Sequence, residues 1–293
     1  MKRILSIIFV IISIITLNAE EKVDISGVID WESLQITSTA ALELASAGIK
    51  LPAGRTQAES LLAEGYTRLI RQGLLTLQID SSSVVADLME RNELSLSELD
   101  MISSFSTSQP PSLTPNMLNM TASFSIPISL INNTLQRHSR PSPVSLTLNP
   151  ATAAQYTGLI IIASERLPAH GMRSSFLPVP CLFPKIWDTE MNLIYDKNMV
   201  TPGIPIARYS SPQNILFNSP SGLSPELQQI AGDRPLRIFA RGVFGIKPTD
   251  LIIDRTDALL ILSNEANRNL LTQGKVVIVL DDSVLRTELR GHD

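Results

Sequence analysis

Ten prolines between residues 168 and 235 set the strongest limit on how this chain can fold. A proline inside a helix removes a backbone hydrogen bond and clashes with the preceding turn, so long helices are excluded there. Short apolar runs at 182–187 and 193–195 alternate with these prolines and have the composition of strands. We therefore predict that this part of the chain consists of short strands and turns.

The segments that flank the proline-rich region predict a buried sheet. Residues 156–162 are apolar on both faces, which is typical of a central strand. Asp254 is placed to cap a helix that runs to about Gln273, with Gly274 just past its end. A strand, a helix and a strand in succession predict a parallel crossover within a mixed sheet. The other strands expected here are 236–243, 249–254 and 275–281.

The N-terminal half combines strand patterns with amphipathic helices. Residues 20–54 are β-like, and Thr56 with Glu59 forms a capping-box pattern that predicts a helix start. Ser95 with Glu98 forms a second capping box. Six residues share one stripe of the first helix at a period of 3.6 and predict its buried face: Ala58, Leu62, Tyr66, Leu69, Ile70 and Gly73.

Residues 121–130 and 143–148 are predicted to pair as a hairpin, with Asn132 and Asn133 in its turn. Pro127 places the first of these strands at a sheet edge, because proline cannot donate to a central ladder. The expected fold class is thus α+β. A helix-on-sheet module with a Pro/Ser-rich hairpin region spans 20–150, and a mixed-sheet module with a C-terminal strand-helix-strand unit spans 151–293.

The first nineteen residues predict an export signal. Lys2 and Arg3 precede an apolar run from Ile4 to Leu17, and the small residue Ala19 follows. This run is shorter than the roughly 20 residues that a bilayer-spanning helix needs, so cleavage after Ala19 is favoured over an uncleaved anchor. We expect a mature protein in the periplasm or at the outer-membrane periphery, with no transmembrane helix after cleavage.

Charge and cysteine content exclude several classes of protein. The chain has a net charge of −4, so it lacks the basic footprint of a nucleic-acid-binding protein. Cys181 is the only cysteine, which rules out an intramolecular disulfide. Its apolar surroundings in the sequence favour a buried, inert thiol over one that pairs with another molecule.

One stretch, residues 101–164, carries only Arg137 and Arg140 as charged residues. Soluble surfaces normally carry many more charges. The stretch is either a loop and hairpin packed against the rest of the fold, or a self-association or envelope-contact surface that uses uncharged strand edges. The candidate assembly surface in the second case comprises Ser123, Ser125, Ser129, Asn132 and Asn133.

Residues that carry chemistry are scarce. His138, His170 and His292 are not spaced with other ligands as a metal site requires, and no Gly-x-Ser-x-Gly or glycine-rich phosphate loop occurs. Asp281 and Asp282 follow a predicted strand, where they are expected to cap it in solvent rather than hold a cation. We therefore expect no catalytic, cofactor-binding or metal-binding residues, and no enzyme.

The C-terminal part contains the pattern Thr157-Gly158-Leu159-Ile160, Pro180, Phe183-Pro184-Lys185-Ile186-Trp187-Asp188, Leu193-Ile194-Tyr195, Asp250 to Asp254, Asn264 and Lys275 to Asp281. This order resembles the C-terminal part of a bacterial envelope family related to the FlgP and FlgT flagellar accessory proteins and to small surface lipoproteins. The helix from Thr56 and the segment after it are similar to the N-terminal half of that family. The chain departs from the family at 162–166, where an aspartate after the opening strand is missing, and it lacks a lipidated cysteine.

The resemblance implies an α+β fold, an envelope address and assembly into larger structures such as flagellar basal-body rings. The function expected from it is structural, with other envelope or flagellar proteins as partners and with formation of a homo-oligomer. One alternative is a periplasmic ligand-binding module with a pocket among the loops of 168–235. A further alternative is an envelope hydrolase, which the missing nucleophile and metal motifs disfavour.

Overall fold

The computed structural model describes residues 23–147, 150, 152–215 and 222–290. The predicted signal peptide, residues 1–19, lies outside these residues. Among the helices of the described residues, none combines the length and the apolar character needed to cross a membrane.

Sixteen strands and eight α-helices make up the described part of the fold, which is α+β as predicted. The strands are β1 (Val23–Asp30), β2 (Gln35–Glu43), β3 (Thr107–Ser108), β4 (Ser112–Leu113), β5 (Asn119–Pro127), β6 (Leu159–Ile162), β7 (Leu167–Pro168), β8 (Ser175–Phe176), β9 (Ile186–Asp188), β10 (Leu193–Tyr195), β11 (Arg208–Ser210), β12 (Leu236–Phe239), β13 (Gly242–Phe244), β14 (Asp250–Ile253), β15 (Val276–Val279) and β16 (Arg286–Arg290). The helices are α1 (Arg55–Thr76), α2 (Val85–Glu90), α3 (Leu96–Ser104), α4 (Ser129–Leu135), α5 (Pro225–Ala231), α6 (Arg255–Leu262), α7 (Glu265–Thr272) and α8 (Asp282–Leu285).

The first sheet is antiparallel, with strand order β16-β1-β2-β5-β3 and with β4 also paired to β5. One of its faces is covered by α1, which contacts β1 and β2 most extensively. The other face is open to solvent. The last strand, β16, comes from the far end of the chain and pairs with β1 in the register Asp30 to Arg286 and Ser26 to Arg290. The first and last described strands of the protein are therefore neighbours.

The predicted stripe on α1 is confirmed as its buried face, since all six of its residues are buried. Two glycines on α1 bring it close to the sheet. A Cβ at Gly65 would meet the side chain of Ile25 on β1, and one at Gly73 would lie 2.5 Å from Leu289 Cδ1 on β16. Because glycine has no side chain at these positions, the helix can pack close to both strands.

The capping box predicted at Thr56 is wrong, whereas the one at Ser95 is confirmed. Helix α1 begins at Arg55 with Gly54 as its N-cap and has no side-chain cap, so Thr56 already lies within the first turn. Glu59 pairs with Arg55 instead, at 2.9 Å. At α3 the Ser95 hydroxyl accepts from the Glu98 N–H, and the Glu98 carboxylate accepts from the Ser95 N–H at 2.7 Å.

Replacing Ser95 with alanine is expected to lower the free energy of unfolding by about 1 kcal/mol, because the Glu98 N–H in the first turn of α3 loses its side-chain acceptor. Chemical denaturation of the purified protein measures this change. Ser95→Thr keeps a hydroxyl acceptor and serves as the control, which should stay close to wild type. Equal stability of Ser95→Ala and wild type would show that α3 does not depend on its cap.

The C-terminal part contains the predicted mixed sheet and, in addition, a fully parallel sheet. The parallel sheet has the order β11-β15-β6-β12, and β6 is a buried central strand as predicted. The mixed sheet has the order β10-β9-β14-β13. Strands β14 and β15 lie in different sheets, so the predicted crossover within one sheet is wrong.

Two further predictions about this part need correction. The run 236–243 divides into β12 and β13, which belong to different sheets. The helix predicted from Asp254 to Gln273 is two helices, because Asn264 accepts the Ala266 N–H at 2.9 Å and caps α7 as a separate helix. Gly274 does follow the second helix with a positive φ of 62°.

The predicted hairpin at 121–130 and 143–148 is also wrong. Strand β5 forms, but the chain then enters α4, which contains both Asn132 and Asn133. Residues 143–147 form no strand in the described part of the chain. β5 is not an edge strand either, because β2 pairs with one side of it and the short strands β3 and β4 cover the other.

Candidate interaction surface and intermodule groove

The centre of the outer face of the first sheet is uncharged and rich in serine and threonine. Side chains alternate along a strand, so every second residue of β2 and β5 points away from α1. Thr39 lies directly opposite Ser123, and Thr37 lies opposite Ser125. The central residues of this outer face are Ser26, Thr37, Thr39, Ala41, Thr121, Ser123 and Ser125.

The structure separates the five residues of the predicted assembly surface. Ser123 is exposed on the outer face, and Ser125 is half-buried beside it, with its hydroxyl 2.8 Å from that of Thr107. Ser129 is the first residue of α4, and Asn133 is exposed on the same helix. Asn132 is only 4% exposed and therefore does not belong to a surface. The structure thus groups Ser123 and Ser125 but not the three residues of α4.

Asn132 acts within the molecule instead. Its side-chain amide donates to the Ile204 carbonyl at 3.4 Å, and the amide of Gln136 donates to the same carbonyl at 3.2 Å. The Gln136 carbonyl oxygen accepts from the Gly203 N–H at 3.0 Å. These contacts bind α4 to the C-terminal part of the chain. The prediction of a turn at Asn132 gave no indication of this role.

Exposed apolar residues lie near the edge of the first sheet where β3 and β4 cover β5, on the side of α1 rather than on the outer face, since Leu113 lies opposite the buried Met120. Phe105 is 57% exposed and Met117 is 74% exposed, and Leu113 and Leu118 are also exposed. These residues lie in the charge-poor stretch, but the sequence pattern did not single them out. The uncharged centre of the outer face, with its hydroxyl groups, can pack against a partner without removing charged groups from water, which would cost free energy.

A groove of about 670 Å³ lies between the N-terminal and C-terminal parts. Its volume is within the range of ligand-binding clefts. One wall is formed by β16 and the adjoining end of α8. The opposite wall is formed by Val179, Pro180, Lys247 and Pro248, and the other lining residues are Ile29, Trp31, Thr76, Gln78, Ser283, Val284, Arg286, Thr287 and Glu288.

Beside the groove, backbone hydrogen bonds hold the two parts together. The N–H groups of Leu182 and Phe183 donate to the carbonyls of Gln78 and Ile79, and the Lys247 N–H donates to the Ser81 carbonyl at 2.8 Å. The segment 78–81 is therefore hydrogen-bonded through its backbone carbonyls to the C-terminal part. These bonds fix the C-terminal wall of the groove to the N-terminal part.

A buried carboxylate, Asp250, completes this junction. It accepts from Ser81 Oγ at 3.3 Å, Trp187 Nε1 at 3.4 Å and Thr249 Oγ1 at 3.2 Å. Burial raises the pKa of Asp250 above its ordinary value, although these donors and Lys185 act in the opposite direction. Because its side chain is enclosed by these partners, Asp250 acts as a connection between the two parts rather than as a group that can reach a substrate.

Cys181 is a buried free thiol, as predicted. Burial raises the pKa of its thiol strongly, and the nearby Asp250 carboxylate acts in the same direction. The Tyr209 hydroxyl donates to the Cys181 carbonyl at 2.7 Å. A thiol held in the protonated form is a poor nucleophile and a poor metal ligand.

Asp281 is a helix cap rather than a strand cap. Its carboxylate accepts from the Ser283 N–H at 2.9 Å at the start of α8, and the pKa of Asp281 is lowered by the side-chain and backbone bonds from Ser283. Asp282 accepts from Gln213 at 3.0 Å. Within the described residues, no group of three or more His, Cys, Asp or Glu side chains is arranged to hold a metal ion.

Two protein-family models match the chain one after the other. Residues 22–134 match the model for the N-terminal domain of Treponema pallidum Tp0624, and residues 158–282 match the model for the second domain of that protein. No curated protein matches the chain. The outer face lies mainly in the first matched segment, and β16 begins after the second ends. The chain is therefore similar, over two successive segments, to the N-terminal and second domains of Treponema pallidum Tp0624.

Proposed function

We propose that this chain is an exported, non-enzymatic protein of the bacterial cell envelope, with a structural role in which it assembles with itself or with other envelope proteins. The observation that carries the proposal is the open outer face of the first sheet, whose centre carries hydroxyl side chains and no charge. The export signal in the sequence supports the envelope address. A place at the flagellar basal body or the outer membrane is the finer part of the proposal and comes from the resemblance to the FlgP- and FlgT-related family.

Serine and threonine side chains suit a packing surface for an energetic reason. They lose less rotamer entropy than lysine or glutamate when a partner covers them, and they can form hydrogen bonds across the interface. The outer face has no charge at its centre, since Asp24, Asp30 and Glu43 lie at its margins and Arg286 and Glu288 lie on the edge strand β16. Association of two such faces therefore avoids most of the cost of desolvating charges.

Introducing lysine at both Thr39 and Ser123 should abolish or strongly weaken self-association, because two adjacent positive charges would have to be desolvated in the contact. Analytical ultracentrifugation and chemical crosslinking of the mature protein measure the assembly state. The matched control is Gln57→Lys with Ser60→Lys, which adds the same charge to the exposed side of α1. If wild type assembles and the Thr39/Ser123 variant assembles equally well, the outer face is not the assembly surface.

Affinity purification of the tagged protein from crosslinked envelopes tests the wider proposal. Recovery in large complexes with flagellar or outer-membrane proteins would support it and identify the assembly. Recovery as a monomer without envelope partners would contradict it.

The second candidate function is a periplasmic ligand-binding module, and the intermodule groove is the observation that favours it. Val179 and Pro180 bring the proline-rich region into this groove, which is where the sequence placed a pocket. A ligand that binds the folded state would raise the melting temperature, and above Kd the rise would grow with the logarithm of the ligand concentration.

A further inference from the structure

Two loops of the C-terminal part carry exposed apolar side chains that lie next to one another. Ile246, in the turn between β13 and β14, is 82% exposed, and Met172, in the turn between β7 and β8, is 60% exposed. Phe176 and Phe244 are exposed beside them. All four side chains surround one hollow of about 60 Å³ and therefore form a single surface, which we call the apolar tip.

The backbone and the neighbouring rings hold the apolar tip in place. The His170 N–H donates to the Val243 carbonyl at 2.9 Å, which joins the two loops. The rings of His170 and Trp187 pack edge-on against the ring of Phe244, with centroids 5.9 and 5.8 Å away. The exposed apolar groups are thus presented by a fixed scaffold, and a partner is needed to remove them from water.

Basic residues border the apolar tip. The segments 166–180 and 241–249, which contain both loops, have four Lys or Arg residues and no Asp or Glu. Arg173 and Lys247 each directly follow a residue of the tip, and both are exposed. Neither forms an ion pair within the described residues. Two cations beside the tip are therefore available to an anionic partner.

Acidic groups on the elements packed behind the tip are engaged elsewhere. Asp250 is buried, and Asp80 is half-buried, with its carboxylate accepting from the Ser82 N–H and hydroxyl at 2.9 Å. Asp254 lies 3.8 Å from Arg241. The net charge of the whole chain is −4, so the tip differs in sign from the protein as a whole. An anionic surface would attract this end of the molecule in preference to the others.

The shape of the apolar tip favours a bilayer over a folded protein as its partner. Its hollow of about 60 Å³ is far smaller than the roughly 300 Å³ at which ligand clefts begin, so it offers little recess for an anchor residue. Ile246 and Met172 project from turns, and a bilayer takes in projecting apolar groups without a matching surface. A bilayer is also broad enough to reach Arg173 on one loop and Lys247 on the other.

We propose that the apolar tip binds the surface of an anionic bilayer, with Met172 and Ile246 inserted among the lipid head groups and Arg173 and Lys247 beside the lipid phosphates. Apolar contact and attraction to anionic lipids act together in this kind of binding. Long basic side chains keep their charge at the interface while their methylene groups contact apolar surface. The site is distinct from the outer face and goes beyond the proposed assembly role, because it places this chain itself on a membrane.

Co-sedimentation of the mature protein with lipid vesicles tests the proposal. Vesicles of phosphatidylcholine and phosphatidylglycerol in equal parts should bind the protein. Vesicles of phosphatidylcholine alone should bind it at least about fivefold more weakly, because the attraction to the two cations is lost. Added salt should weaken binding to the anionic vesicles, since it screens exposed charges.

A variant without the apolar side chains locates the contact. Met172→Ser with Ile246→Ser should weaken binding to the anionic vesicles by at least about tenfold, because two apolar groups no longer leave water. The matched control is Met117→Ser with Leu118→Ser, which removes two side chains that are 74% and 57% exposed outside the tip. This control should bind the vesicles as wild type does.

A second variant tests the contribution of charge. Arg173→Gln with Lys247→Gln should weaken binding to the anionic vesicles by about tenfold and leave the weak binding to phosphatidylcholine unchanged. Lys50→Gln with Arg140→Gln removes the same charge from exposed positions elsewhere and should have a much smaller effect. The melting temperature of each variant shows whether it is folded.

Absence of binding to the anionic vesicles, equal binding to both kinds of vesicle, or unchanged binding of the Met172/Ile246 variant would overturn the proposal. If wild type ignores vesicles but captures envelope proteins that the Arg173/Lys247 variant loses, the tip binds an acidic protein and the lipid proposal is wrong. The Met172/Ile246 variant should assemble as wild type does in analytical ultracentrifugation without lipid. A failure of the assembly proposal and a failure of the membrane site can therefore be told apart.

Discussion

Replacing Asp188 with alanine is expected to lower the free energy of unfolding by about 3–5 kcal/mol, the cost of breaking a buried ion pair from one side. Asp188 is fully buried, and its carboxylate lies 2.6 Å from Arg255 Nη1 at the start of α6. It also accepts from the backbone N–H groups of Glu190 and Asn192 at 3.0 and 2.8 Å. Thermal or denaturant unfolding measures the loss, which includes both the ion pair and the donors of the β9–β10 turn.

The loss of stability caused by Asp188→Ala should depend on pH in a defined direction. Burial by itself would raise the pKa of Asp188, but the hydrogen bonds from Asn192, with Arg255 and the Glu190 N–H, bring the pKa below its ordinary value. A carboxyl whose pKa is lower in the folded state contributes stability above its unfolded pKa and loses it as pH falls through the folded value. The difference in stability between wild type and Asp188→Ala should therefore be constant at pH 5–7 and narrow below about pH 4.

Glu190→Gln is the matched control, because Glu190 pairs with the same arginine from an exposed position. Its carboxylate lies 3.6 Å from Arg255 Nε and its side chain is 65% exposed. An exposed ion pair of this kind contributes about 0–1 kcal/mol. A loss of equal size in the two variants would mean that burial of Asp188 does not determine its contribution.

Replacing Gly158 with alanine is expected to destabilise the protein by about 3 kcal/mol, the upper part of the range for an overpacked core. A Cβ at this position would lie 2.6 Å from both the Cα and the carbonyl oxygen of Ala231 in α5. These are backbone atoms, so α5 would have to move away from β6. The neighbouring Thr157 hydroxyl donates to the Ala231 carbonyl at 2.7 Å, and that bond would be disturbed as well. Calorimetry should show a fall in melting temperature of roughly 6–12 °C.

Gly171→Ala separates steric clash from backbone strain. Gly171 has a φ of 77° and no atom within 4 Å of an added Cβ, so alanine there meets strain but no neighbour. A left-handed conformation costs a non-glycine residue about 1–2 kcal/mol. Gly158→Ala should be the more damaging of the two, and the reverse order would show that α5 can shift away from β6 without loss.

Features set by neighbouring residues could be predicted from the sequence. The buried stripe of α1 follows from the period of the helix, and the cap at Ser95 depends on a residue only three positions away. The prolines of 168–235 likewise limited that region to short elements, and α5 is its longest helix. In each case the determining contacts lie within one turn or one strand of the chain.

Features set by distant partners could not be predicted in this way. Strands β14 and β15 have the apolar character of buried strands, but apolar character does not specify which sheet a strand joins. Asparagine is typical of turns, so the sequence predicted a turn at Asn132. Its position in a buried helix depends on the contact with Ile204, which is 72 residues away in the chain. Of the candidate surface, Ser123 and Ser125 could be placed because alternation along a strand is local. The groove could not, because its walls come from segments that are far apart in the chain.

The pairing of β16 with β1 has a consequence for how the protein acquires its structure. During synthesis, the N-terminal sheet has all of its strands except β16 once residue 127 has been made, and β1 must then wait for residues 286–290. Leu289 also fills the space left by Gly73 on α1, so part of the helix–sheet packing is delayed as well. The two parts therefore cannot mature as independent units in order of synthesis, and a chain that stops before residue 286 leaves an open strand edge that is prone to aggregation.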